Sequence, residues 1–232
     1  MFTLDQVVPW GRSFDEYQRM FALTADDLRQ SVLGCGDGPA AFNAEATRRG
    51  HRVTSVDPLY RFDRDQIRQR IDETSAEILE QVRRNETEFV WTAIRSVEEL
   101  GLVRLAAMET FLDDYDRGRK EQRYVVAELP VLPFEDRQFD VALSSHFLFL
   151  YTDQLGADFH RAAVAEMCRV STEVRIFPLL ALGSRPSPLV EPIAGELRDQ
   201  GFAVSVEAVG YEFQRGGNRM MRIRHALRGP QR

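Results

Sequence analysis

The sequence predicts an α/β fold, a mostly parallel sheet whose strands alternate with helices, interrupted by a long helical segment. Three observations predict it. Before residue 60 the chain reads strand, glycine turn, helix, strand; after residue 123 the same alternation resumes; and between them helical periodicity runs with hardly a strand signal.

Taking the elements in order, residues 13–28 place Phe14, Tyr17, Met20 and Phe21 at near-helical spacing and read as one short amphipathic helix. A short apolar run and a glycine turn follow, then a helix over 40–49 closed by Gly50. The β-branched run 52–56 ends on Asp57-Pro58 and reads as a strand. Over about 61–122, Ile67, Ile71, Ile78 and Val82 mark one helical face, and Leu100, Val103, Ala107, Phe111 and Tyr115 mark another. Ser96 with Glu99 predicts a capping box for the second helix. This stretch is far longer than an ordinary connection in an α/β unit and reads as a helical insertion. Strands are expected at 124–127, 139–143, 174–180, 202–209 and 220–225, with helices at 154–170 and 187–200. The chain, 1–232, reads as a single domain.

Bulk composition narrows the function. Hydrophobic residues make up 44% and charged residues 28%, as in ordinary globular proteins, and a net charge of −6 argues against a general nucleic-acid binder. Cys35 and Cys168 offer neither a disulfide framework nor metal-ligand spacing, so no metal is expected and a reducing compartment is. No signal-peptide pattern opens the sequence and no apolar run approaches a membrane span, so the expectation is a cytoplasmic protein with no membrane association.

The stretch 32–42, VLGCGDGPAAF, packs three glycines into five positions after an apolar run. Glycine there signals a tight turn or close approach to a ligand. Two readings fit. Gly36-x-Gly38-x-x-Ala41 satisfies the dinucleotide fingerprint, whereas Gly34-x-Gly36-x-Gly38 resembles motif I of class I S-adenosylmethionine-dependent methyltransferases. Asp57, placed to take ribose hydroxyls, suits both.

Two later blocks separate them. LPFEDRQFDVALSS, from Leu132, resembles the LPF-x-D-x-x-FD-x-V-x-x-S segment of those methyltransferases, and Glu166-Met167-Cys168-Arg169-Val170 resembles their E-M-x-R-V stretch. A nicotinamide enzyme has no reason to carry either. The resemblance spans about 32–180 and implies a Rossmann-like class I methyltransferase fold: a seven-stranded, mostly parallel sheet with an antiparallel last strand. It also implies S-adenosyl-L-methionine as cofactor and methyl transfer to a small-molecule acceptor. The alternative is a non-catalytic protein that binds S-adenosylmethionine or S-adenosylhomocysteine.

The resemblance implies roles for particular residues. Gly34, Gly36 and Gly38 would admit the methionine part of the cofactor, Asp57 would accept from the ribose diol, and Pro58 and Leu59 would pack on adenine. Glu128 would receive the adenine amino group, with Leu129 beside it. Ser144 and Ser145 would face the methionine moiety or the acceptor. Arg12 would pair with the cofactor carboxylate and Tyr17 would close its pocket. The chain departs from the family pattern at Val32, where an acid is usual. His146, just past a strand end, is the candidate general base. His51, His160 and His225 are given no role, the last two being placed on outer surfaces. Phe89, Trp91 and Met108 read as insertion core, with an apolar acceptor pocket as the other reading. The insertion itself is either a lid over the acceptor site or the contact of a homodimer.

Overall fold

The computed structural model describes residues 9–225. The signal-peptide reading rests partly on 1–8, which lie outside them. Seven strands form one sheet: β1 (Ser31–Cys35), β2 (Arg52–Val56), β3 (Tyr124–Val125), β4 (Phe139–Ser145), β5 (Ser171–Phe177), β8 (Phe202–Ala208) and β9 (Arg219–His225), while β6 (Leu180–Ala181) and β7 (Arg185–Pro186) pair as a separate hairpin. The order across the sheet is β3-β2-β1-β4-β5-β9-β8. Pairing is parallel from β3 to β5, and β9 runs antiparallel to both of its neighbours. This is the sheet that the resemblance implies, seven-stranded and mostly parallel with an antiparallel last strand. Its order reverses between β1 and β4, so a crevice opens at the carboxyl ends of those strands.

Strand β1 lies centrally and buries both faces, as its continuous apolar run requires. Alternate residues serve two cores. Val32 packs toward the helices α1 (Phe14–Met20) and α3 (Phe42–Arg48), whereas Leu33 and Cys35 face α6 (Thr152–Val170) and α7 (Val190–Asp199). Both cysteines are buried and free.

The expected helix over 13–28 is two: α1 and α2 (Ala25–Arg29). Ser13 with Glu16 and Thr24 with Asp27 each form a complete capping box, and the second restarts the chain after Ala22, at φ 47°. Helices α4 (Arg64–Arg84) and α5 (Val97–Lys120) make up most of the connection from β2 to β3. The predicted faces are buried, apart from half-buried Val103. Ser96 does cap α5, accepting from Glu99 N at 3.1 Å, but the Glu99 carboxylate accepts from Arg95 N instead, so no reciprocal box closes. Strand β3 stops at Val125, because the chain turns away into the Glu128–Val131 bridge. Strand β5 starts at Ser171, three residues early, where the end of α6 passes directly into pairing with β4.

Candidate functional site

The glycine turn is built by the strand ends. Gly36 N donates to Val56 O at 2.9 Å, tying the turn to β2 just beyond the last strand pair. Gly36 and Gly38 then take φ of 70° and 53°, conformations open to glycine without strain. A side chain on Gly36 would press within 3.0 Å of the Phe147 ring. Asp57, at the end of β2, accepts from Gly38 N and from Leu59 N, both at 2.8 Å, so one carboxylate joins the loops after β1 and β2. Burial pushes its pKa up to about 6 despite those two donors.

Gly34 answers a different need. A Cβ there would overlap the carboxylate of Asp37, which folds back over the strand. Asp37 accepts from Tyr17 Oη–H at 2.8 Å and from Ser55 Oγ–H at 2.6 Å, and burial raises its pKa to about 6. Asp37 was missing from the sequence-derived set. Its signal was present, an acid inside the glycine turn, but reading by glycine spacing passes over the residues between. Val32 is apolar and buried, and Asp37 is a buried acid within the turn itself.

A cavity of about 680 Å³ opens over the carboxyl ends of β1, β2 and β4. Arg12, Tyr17, Gly36, Gly38 and Asp57 line it, as do Pro58, Leu59 and His146. Gly34, Glu128, Leu129 and Ser144 are not part of its lining. Ser145 lines it in place of Ser144, whose hydroxyl is buried in β4 with no hydrogen-bond partner among the described residues. Glu128 is exposed, yet its charge helps raise Asp57, which places the two carboxylates near one another. Arg12 donates from Nη1 to Trp10 O at 2.7 Å and leaves Nε buried without a partner. Burial, then the charge of Arg104, lowers its pKa to about 10.

His146 follows β4 at φ 53°, its N–H donating to Phe177 O at 2.7 Å. Its Nδ1 lies 3.0 Å from Ser145 Oγ. Burial, with Arg12 and Arg104 nearby, holds the imidazole pKa well below its usual value, so the ring is neutral. His160 is buried, not on an outer surface as expected: Phe149 N donates to its Nε2 at 3.1 Å, its Nδ1 meets Gly156 O at 2.6 Å, and its ring stacks on Phe149. It braces the loop that carries His146. The expectation passed over the helical spacing that puts His160 on the same buried face of α6 as Ala163, Val164 and Met167.

The helical segment lines one side of the cavity. Phe89 and Leu100 line it, while Trp91 and Met108 do not; Met108 packs with Phe111 and Tyr115 between the helices. Beneath it, Arg104 of α5 pairs with Glu16 of α1, a contact across 88 positions that no local pattern announces. Among the described residues no cluster of three His, Cys, Asp or Glu side chains is placed to hold a metal, and no helix is long and apolar enough to cross a membrane.

No protein-family model matches the chain. Among solved structures it is similar to magnesium protoporphyrin IX methyltransferase from Synechocystis PCC 6803, with 10% identity and a TM-score of 0.44 over 85% of this chain and 70% of that one. It is also similar to 1,6-didemethyltoxoflavin-N1-methyltransferase from Burkholderia thailandensis, with 15% identity and a TM-score of 0.42 over 85% and 72%. A SAM-dependent methyltransferase from Thermotoga maritima aligns over 92% and 89% with 13% identity and a TM-score of 0.45. Among curated proteins, the uncharacterized protein MJ0045 of Methanocaldococcus jannaschii is 33% identical over 223 residues, which are 95% of this chain and 97% of that one. The chain belongs to the same family as MJ0045.

Proposed function

We propose that the chain is an S-adenosylmethionine-dependent methyltransferase acting on a small-molecule acceptor. The observation that carries this reading is the meeting of Asp57 with the Gly36–Gly38 turn on the wall of one large cavity. A half-buried carboxylate raised to about 6 and held only by backbone donors keeps lone pairs for a diol, and the turn beside it carries no side chain at two positions. The residues therefore fit the cofactor. Pro58 and Leu59 supply an apolar surface for the adenine, and Arg12 a cation for the carboxylate; Glu128, outside the lining but near enough to raise Asp57, is the acceptor we assign to the adenine amino group.

When bound, the cofactor presents a methyl group on a sulfonium, so the acceptor atom forms its bond to that carbon as the carbon–sulfur bond breaks and a neutral thioether leaves. The protein aligns the two reactants and excludes water. Where the acceptor is a hydroxyl or amine, its proton goes to neutral His146. If Ser145 Oγ accepts from Nδ1–H, Nε2 is left as the base. We also take the site to work in the cytoplasm and without metal.

Calorimetric titration with S-adenosylmethionine, S-adenosylhomocysteine and NAD in parallel tests the donor. Micromolar binding of the first two without NAD is the expected result, and binding of NAD alone overturns it. Transfer of labelled methyl to a small-molecule extract then separates an enzyme from a binding protein that holds the cofactor without turnover.

A further inference from the structure

Beyond the glycine turn the cavity continues along an apolar wall, with Arg70, Glu73 and Arg104 also in its lining. Val82 and Leu100 come from α4 and α5, Phe89 from the link between them, Leu150 from the loop after β4, Leu182 from the β6–β7 hairpin, and Phe213 from the segment before β9. These segments are far apart in sequence and are stitched together through their backbones. Val90 N donates to Phe213 O at 2.7 Å and Arg215 N donates to Glu88 O at 2.8 Å, joining the helical segment to the approach to β9. Leu182 N donates to Leu150 O at 3.0 Å, and Ser184 Oγ–H donates to Glu88 O at 3.2 Å, joining the hairpin to both. The rings of Phe89 and Phe213 pack at 5.0 Å. The walls are therefore set before a ligand arrives.

The same segments bring Glu88, Tyr151 and Gln214 to the lining, and Gln214 turns its Nε2–H to Ala181 O at 3.4 Å. Phe147 connects the two ends of the cavity. It covers Gly36 on one side and packs with Leu150, Tyr151 and Leu182 on the other, directly after His146.

We propose that this apolar chamber takes the body of the methyl acceptor, and that the acceptor is an uncharged, predominantly apolar small molecule bearing one hydroxyl or amine directed at His146. The proposal rests on the methyltransferase reading. A polar or charged body would surrender its hydrogen bonds to water against Val82, Phe89, Leu100, Leu182 and Phe213, while Arg104 and Arg70, which also line the cavity, are already paired with Glu16 and Glu73. A nucleophile at one end of an apolar body satisfies both halves of the cavity.

The probes are 1-naphthol and its 4-sulfonate, titrated by calorimetry into protein saturated with S-adenosylhomocysteine. Micromolar binding of 1-naphthol is expected, with the sulfonate weaker by about tenfold or more. Phe213→Gln and Leu182→Gln should each weaken 1-naphthol by about tenfold, with affinity for S-adenosylhomocysteine held within about twofold. No binding of 1-naphthol, equal binding of the sulfonate, or full naphthol affinity in both variants overturns the proposal. A variant that loses S-adenosylhomocysteine has a damaged fold, and the two-probe comparison in the unaltered protein then decides. If the unaltered protein fails to bind S-adenosylhomocysteine, the donor reading falls, and 1-naphthol titrated alone still tests the chamber.

Discussion

Arg104 of α5 donates from Nη1 to both carboxylate oxygens of Glu16 in α1, at 2.8 and 2.6 Å, and Tyr211 Oη–H donates to the same carboxylate at 2.9 Å. The ion pair is buried on both sides, so it clamps the helical segment, the N-terminal helix and the approach to β9 at one point beneath the cavity. Burial alone would raise the Glu16 pKa, but the charge and hydrogen bonds of Arg104 and the Ser13 N–H outweigh it and bring it down to about 2.

Glu16→Ala leaves Arg104 buried without its counter-charge, and should cost about 3–5 kcal/mol of stability. Urea unfolding measures it. Replacing both partners, as Glu16→Leu with Arg104→Met, should recover much of the loss; an unchanged midpoint in the single variant contradicts the clamp. Because the folded pKa lies below the usual 4.5, this stabilisation is present above pH 4.5 and is lost as pH falls toward 2. The parent should show a steeper decline than Glu16→Ala, which keeps the lowered carboxylates of Asp114 and Glu173.

Asp57→Ala should weaken S-adenosylhomocysteine by about 1.5–3 kcal/mol, the scale of hydrogen bonds to a charged group. Hydroxyl donors favour the ionised carboxylate, so binding should lower its pKa from about 6. Affinity should therefore rise from pH 5 to pH 7, with protons released near pH 6. Calorimetry in buffers of different ionisation enthalpy reads that release, and its absence would sink the diol assignment.

His146→Ala should leave S-adenosylhomocysteine affinity within about twofold and slow methyl transfer to a hydroxyl acceptor by about 10²-fold or more. Since burial and two nearby arginines lower the imidazole pKa, the acid limb of the parent's rate profile should fall below the ordinary histidine value. Equal rates in mutant and parent across that range would retire the base.

Gly34→Ala drives a methyl group into the Asp37 carboxylate and breaks its bonds to Tyr17 and Ser55. A loss of about 1–3 kcal/mol in stability is expected, with weaker cofactor binding. Gly34→Ala combined with Asp37→Ala should recover part of the stability. Thermal unfolding of the pair distinguishes this from a ligand-only role for Gly34.

Much of the fold was legible in the sequence because its signals are local. β-Branched runs, the glycine turn and the faces of α4 and α5 each declare themselves within a few residues, and the ordered blocks from Val32 to Leu180 name the architecture. Element edges were less legible where caps and strand pairing compete, as at Thr24 and Ser171. The site divides the same way. Asp57 and the two positive-φ glycines follow from motif spacing, as does the place of His146 after β4. Only the tertiary structure decided that Asp37 fills the space above Gly34 and that Ser145, not Ser144, reaches the cavity. It alone brought Arg104 to Glu16, buried His160 and joined Leu182, Phe89 and Phe213 into one wall. Those relationships depend on which way a side chain points and on contacts between distant segments, and neither is encoded in any short window of the chain.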